Sequence, residues 1–268
     1  MGPAPRRRLV ALDVDGTILN ADDTVSRPVV EAIAAAARAG HEVMLATGRS
    51  WEAAEPVMRK AGIRSRYVVC ANGAITMKRD PRSPGGYRRF HIDTFDAHEV
   101  LATIRPRLPD GRFLVEDATG FRRYTEAAGD WLLERAEKVP FDRLAEVPAT
   151  RVVVVSPGHD EEDFFRVVES MGLHRVSYSI GWTAWLDISP EGVTKATALE
   201  RVRELLGFER RDVICVGDGR NDIEMLRWAA EEGRGVAMGH ASDDVVAAAN
   251  EVTGSIDDDG VAALLAAI

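Results

Sequence analysis

The chain has 268 residues, 46% hydrophobic and 29% charged, enough to bury one large core or two modest ones. Its formal net charge of −9 offers no general attraction to nucleic acid or an anionic membrane, so neither is expected as a partner. No apolar run approaches the ~20 residues of a membrane helix, and the apolar stretch behind the basic start is broken at Asp13 and Asp15, unlike a signal peptide; cytoplasmic residence is the expectation.

Leu9-Val10-Ala11-Leu12 is continuously apolar, which predicts a strand covered on both faces and ending at Asp13. A helix is expected from Pro28 to Ala39, stopped by Gly40, then a strand from His41 to Ala46 and a helix from Trp51 to Lys60 despite Pro56. Tyr67 to Cys70 is a third strand candidate. Strands alternating with helices argue for an α/β, Rossmann-like core, an open parallel sheet with helices on both faces.

The pattern changes at about Asp80, where Pro81, Pro84, Gly85 and Gly86 cluster as breakers. Strand-like pieces at Arg112 to Glu116 and Arg151 to Ser156, with a helix at Asp160 to Met171, predict a second, α+β domain over 81–185. From Lys195 the first pattern resumes, with a helix to Leu206, a strand at Val213 to Val216, a short strand at Gly235 to Met238 and a helical tail from Gly260. The middle domain therefore reads as an insertion into one core formed by 1–80 and 186–268. Cys70 and Cys215 each sit inside an apolar run and read as buried structural thiols.

Chemistry gathers at strand ends, where ligands of parallel sheets bind. Asp13-Val14-Asp15-Gly16-Thr17 sets two carboxylates where a buried strand gives way to a loop, and Gly217-Asp218-Gly219-Arg220-Asn221-Asp222 repeats the arrangement after a later strand. Each alone is an acidic turn or helix start; together they suit a hard cation such as magnesium, which takes a few carboxylates, waters and phosphate oxygens. Thr47-Gly48-Arg49-Ser50, between a strand and a helix, offers hydroxyls and backbone N–H groups to an anion. Lys195 opens the helix that returns from the insertion; most lysines are solvated, but this chain has only Lys60, Lys78, Lys138 and Lys195.

Asp-x-Asp-Gly-Thr at 13–17, Thr47, Lys195 and Gly-Asp-Gly-x-Asn-Asp at 217–222, in that order, resemble the haloacid dehalogenase superfamily. Ala46-Thr47-Gly48-Arg49, Ala71-Asn72-Gly73-Ala74 and Gly235-Val236-Ala237-Met238-Gly239 narrow the resemblance to its Cof-type phosphatases, which carry a large α+β cap between the second and third motifs. The resemblance implies Mg2+-dependent hydrolysis of a small phosphorylated metabolite. Asp13 would be the nucleophile that forms an aspartyl-phosphate, and Asp15 the acid and base for leaving group and water. It assigns the metal to Asp13, the backbone carbonyl of Asp15, Asp218 and Asp222, the last directly or through a water. Thr47, Lys195 and Asn221 would hold phosphoryl oxygens, with Gly48, Arg49 and Asn72 on the substrate side.

Two positions depart from that pattern: Ala196 stands where glycine often follows the lysine, and His240 where asparagine often follows Met-Gly. The first bears on helix packing; His240 reads as a surface or loop-stabilising histidine sooner than as a base. Cap arginines such as Arg88, Arg105 and Arg112 could meet an anionic leaving group but read mostly as a solvated surface, and Trp182 and Trp185 as part of an apolar sheet face. A phosphomutase using the same intermediate is the nearest rival, since the phosphoryl group can pass to a hydroxyl instead of water. A receiver-type signalling module is usually about half this length, a metal-dependent glycosyltransferase leaves Lys195 unexplained, and an inactive binding relative has no need of intact motifs. Monomer and homodimer both remain open.

Overall fold

A computed structural model describes residues 6–129, 131, 133–180 and 184–268. In chain order its elements are β1 (Leu9–Leu12), α1 (Arg27–Arg38), β2 (Glu42–Leu45), α2 (Trp51–Lys60), β3 (Tyr67–Cys70), β4 (Ile75–Arg79) and β5 (Tyr87–Ile92). There follow α3 (His98–Ile104), β6 (Arg112–Asp117), β7 (Arg122–Tyr124), β8 (Ala136–Lys138), β9 (Ala149–Val155), α4 (Glu161–Met171), β10 (Val176–Ile180) and β11 (Trp185–Pro190). The chain closes with α5 (Lys195–Leu206), β12 (Val213–Gly217), α6 (Ile223–Ala230), β13 (Arg234–Ala237), α7 (Asp243–Val246), β14 (Glu251–Val252) and α8 (Gly260–Ala266). Two compact units result, one of Met1–Phe90 with Thr194–Ile268, the other His91–Val193.

The first unit is built on a wholly parallel sheet in the order β14-β13-β12-β1-β2. All four residues of β1 are fully buried, as its unbroken apolar sequence requires of a central strand covered on both sides. Leu9, Ala11, Met44, Val213 and Cys215 pack under α5, α6 and α7. Alternate residues Val10, Leu12, Val43 and Ile214 are equally buried on the opposite face, where α1 meets β2 and α8. Burying each such aliphatic side chain contributes about 1.5–3 kcal/mol before entropy is counted. The chain leaves β1 toward β2 on one side and returns to β12 on the other, so the sheet changes direction between β1 and β12. A crevice at the carboxyl ends of those two strands is where such a sheet binds ligands.

Tyr67–Cys70 is a strand, as its sequence indicates, but its ladder hydrogen bonding toward the parallel sheet is the isolated parallel bridge Ala46↔Val69, just past the end of β2. Along its length it pairs antiparallel with β4, in a sheet ordered β3-β4-β5. Cys70 and Cys215 are both buried, and burial pushes the Cys215 thiol far up, as befits inert structural thiols.

The second unit carries a mixed, largely antiparallel sheet in the order β10-β11-β9-β6-β7-β8. Phe113, Val115, Val152, Val154, Leu186 and Ile188 form its core with Val100, Leu101 and Ile104 of α3 and Phe164 and Val168 of α4. Arg122 on β7 is buried and donates to Glu116 at 3.0 Å. The Trp185 ring meets that of Trp131 edge-on at 6.3 Å, while Trp182 lies outside the described residues.

Glu200 on α5 ties three segments of the first unit together. It accepts from Arg203 at 2.6 and 3.1 Å, from Trp228 Nε1 of α6 at 2.9 Å and from Arg210 at 3.3 Å. These hydrogen bonds, Arg203's foremost, hold its carboxyl down to about 2. A depressed carboxyl stabilises the fold above its unfolded pKa and loses that contribution as pH falls through the folded value. Glu200→Gln is therefore expected to cost about 1 kcal/mol at neutral pH after solvent screening. In acid titrations followed by circular dichroism, its deficit should close as pH falls from above 4 toward about 2.

Candidate active site

Asp13 is the residue after β1, and its N–H donates to Val216 O of β12 at 3.0 Å, which keeps the two strands in register to their ends. Asp218 follows β12 in the same way. Asp13, Asp218 and Asp222 are buried and each offers an oxygen within 4.8 Å of the others. The buried Lys195 ammonium, on the first turn of α5, donates to Asp13 Oδ1 at 2.6 Å and to Asp222 Oδ1 at 2.7 Å. Thr194 N-caps that helix in a reciprocal capping box with Thr197, which fixes the turn from which Lys195 projects. Ala196 packs into the core beneath the sheet, in keeping with a packing role.

Each remaining acidic oxygen has its own fixture. Asp222 Oδ2 accepts from the N–H groups of Asp218 at 3.1 Å and Gly219 at 3.0 Å. Asp218 Oδ1 accepts from Thr17 Oγ1 at 2.8 Å, and His240 Nε2 stands 3.6 Å from Asp218 Oδ2. Two glycines make the close packing possible. A Cβ on Gly16, whose φ is +75°, would fall 2.2 Å from Asp218 Oδ2, and one on Gly217 would fall 2.3 Å from Asp222 Cγ.

The three carboxylates face one ammonium, so charge in the cluster is unbalanced. Burial, then the charge of Asp222, pushes the Asp13 carboxyl up against the pull of Lys195. Burial and the charge of Asp13 raise Asp218 likewise. Lys195 is held up too, because the two carboxylates outweigh the burial that opposes its charge. Such a cluster can be relieved by protons or by a hard cation, and its all-oxygen donor set suits the latter.

Asp15 lies apart from this cluster. Its side chain is 60% exposed and forms a two-pronged pair with Arg49, at 2.9 Å from Nε and 2.5 Å from Nη2. Thr47 is fully buried, and its Oγ1 accepts from Arg49 N at 3.1 Å. Since Thr47 N donates to Val69 O at 3.0 Å, the N–H groups of Thr47 and Arg49 are spent within the fold, and Thr47 has its hydroxyl hydrogen to give an anion.

The segment after β3 closes the rim. Ala71 and Asn72 both take the left-handed conformation, at φ 50°, and are stitched by their N–H groups to Arg49 O and Thr47 O at 2.8 and 3.1 Å. This turn carries Asn72 over Gly48, where a Cβ would meet Asn72 Oδ1 at 3.0 Å, and Asn72 Oδ1 accepts from Asn221 Nδ2 at 3.0 Å. Thr17, Gly16 and Gly217 were visible in the sequence only as motif letters; the contacts that give them a task join segments far apart in the chain.

Residues 10–265 match the family model of haloacid dehalogenase-like hydrolases. The curated relatives include the phosphatase YwpJ of Bacillus subtilis, 26% identical over 96% of this chain and 98% of its own length. Another is the pyridoxal phosphate phosphatase YbhA of Escherichia coli, 28% identical over 95% and 96%. A haloacid dehalogenase-like hydrolase from B. subtilis has the same fold, with a TM-score of 0.79 at 24% identity over 97% of this chain and 99% of that one. The chain therefore belongs to the haloacid dehalogenase-like hydrolase family and is a phosphatase of its Cof type. No helix among the described residues is long and apolar enough to cross a membrane.

Proposed function

We propose that the chain hydrolyses a small phosphorylated metabolite, a sugar phosphate or a molecule of similar kind, with Mg2+ and through an aspartyl-phosphate on Asp13. The observation that carries this reading is the buried carboxylate cluster at the end of β1 and β12, in which Lys195 engages one oxygen of Asp13 and leaves Oδ2 to attack. Three buried carboxylates against one ammonium leave an excess of negative charge that fits a hard dication. Asp13, the main-chain carbonyl of Asp15 and Asp218 would hold it. Asp222 would act through a water, since Lys195 and two backbone N–H groups already engage its oxygens. When bound, Mg2+ supplies positive charge to the phosphoryl oxygens, the main requirement of phosphoryl transfer beside positioning.

Asp13 Oδ2 bonds to phosphorus as the ester P–O bond breaks, and Asp15 gives a proton to the departing oxygen. Asp15 then takes a proton from a water whose oxygen attacks the same phosphorus, which releases phosphate and restores Asp13. Proton donation requires Arg49 to leave Asp15, and an anionic substrate competes for that guanidinium. An ammonium has three hydrogens; Lys195 uses two on Asp13 and Asp222 and directs the third to a phosphoryl oxygen. Thr47 donates its hydroxyl hydrogen there, and Asn221, Asn72 and Gly48 form the adjoining wall. The inserted unit, which the sequence bounds at 81–185 and the structure at His91–Val193, is assigned the choice of leaving group.

Phosphate release from a panel of phosphorylated metabolites, with Mg2+ and with chelator, tests this reading. Mg2+-dependent release from at least one compound, lost in Asp13→Asn, is expected; equal turnover by that variant would overturn it. The steric role of Gly16 gives a second expectation. A methyl group in Gly16→Ala has no room beside Asp218 and forces a left-handed alanine, so Mg2+ affinity by calorimetric titration should fall about tenfold or more.

A further inference from the structure

His240 occupies a turn that the backbone pins at several points in the first unit. Met238 N donates to Gly217 O at 3.0 Å, one residue before Asp218, and Ala241 N closes the turn onto Met238 O at 3.0 Å. Gly239 N donates to Gly254 O at 3.1 Å, and a Cβ on Gly239 would lie 2.8 Å from Thr253 O, so the turn is pressed onto the 253–256 segment. Beyond it, Arg220 Nε donates to Asp244 Oδ2 at 3.0 Å, which ties the following residues to the loop that carries Asn221 and Asp222.

The ring is oriented as firmly as its backbone. Ile256 N donates to His240 Nδ1 at 3.3 Å, which makes Nδ1 an acceptor and leaves the ring proton on Nε2. Nε2 stands 3.6 Å from Asp218 Oδ2, the oxygen that Thr17 does not engage. That separation is too long for a hydrogen bond as it stands, but a shift of about half an ångström closes it, and catalytic contacts commonly tighten when a site is loaded. The carboxylate of Asp218 thus lies against the α-carbon of Gly16, with Thr17 on one oxygen and a second, pre-aimed N–H beside the other.

We propose that His240 is a positioning residue for Asp218: its Nε2–H fixes the second carboxylate oxygen and so orients the ligand for the divalent cation. This rests on the Mg2+ reading of the site. A ring that merely stabilised the loop would need only its Nδ1 contact to Ile256; the Nε2–H is what reaches the acidic cluster. Glutamine can carry an amide N–H to the Nε2 position, whereas alanine supplies nothing there.

The test is calorimetric titration of the full chain with Mg2+, for wild type, His240→Gln, His240→Ala and Asp218→Asn, with circular dichroism to establish folding. His240→Ala is expected to bind Mg2+ about tenfold more weakly, His240→Gln to within about twofold of wild type, and Asp218→Asn not measurably. In turnover assays, the half-saturating Mg2+ concentration should rise for His240→Ala with little change in kcat at saturating Mg2+. Wild-type affinity in His240→Ala, or equal weakening in both His240 variants, would overturn the role of His240 alone. A wild-type chain that takes up no Mg2+ would overturn the metal reading and this role with it.

Discussion

Asp13→Asn is expected to lower phosphatase turnover by about four orders of magnitude or more, because the amide cannot form the covalent intermediate. The same substitution should raise stability in the absence of divalent cation. Asp13 is buried with Asp218 and Asp222 against one ammonium, so removing one carboxylate relieves repulsion worth on the order of 1 kcal/mol. Added Mg2+ should reverse the order of stabilities, since wild type gains the cation and the variant does not. At a hundred times its Kd, the cation contributes about 2.7 kcal/mol. Thermal unfolding with and without Mg2+, beside a phosphate-release assay, checks both halves. A stabilised variant that retained activity would contradict the role of Asp13.

The second large effect is expected from Lys195→Met. Removing one partner from a buried ion cluster leaves uncompensated charge and costs about 3–5 kcal/mol; the methionine fills most of the stem's volume, so the loss is electrostatic. Turnover at saturating Mg2+ should fall about 10²–10³-fold, as for other donors aimed at developing charge. The pH dependence follows from the raised carboxyls of Asp13, Asp218 and Asp222. A group whose folded pKa is raised favours the fold while protonated and loses that contribution as pH rises through the folded value. Without Lys195 these carboxyls rise further, so the gap to wild type should be small at about pH 5 and wide at about pH 8. Thermal melts across that range measure it, and a gap independent of pH would show that lost packing, not charge, destabilises the variant.

Much of the fold was legible because doubly covered strands write themselves as apolar runs. Leu9–Leu12, Tyr67–Cys70 and Val213–Gly217 stand where their sequences put them. The partner of a strand is less visible. Tyr67–Cys70 is buried on every side whether it joins β2 or β4, so composition cannot tell a parallel neighbour from an antiparallel one. Burial of Asp13, Asp218 and Asp222 together was foreshadowed by their spacing after two strands, and Lys195 by its rarity and place. Three features were not: Arg49 on Asp15, Thr17 on Asp218, and His240 beside Asp218. Each joins loops brought together only when the sheet forms, and a side-chain contact of that kind leaves no periodic trace in the sequence.

The stereochemical course at phosphorus tests the covalent role of Asp13 most directly. A phosphorothioate ester whose phosphorus is made chiral by sulfur and two oxygen isotopes, hydrolysed in water of the third isotope, reports the number of in-line displacements. Two displacements, through Asp13 and then water, give retention of configuration, which is the expected result; inversion would mean a single attack by water and would contradict the aspartyl-phosphate.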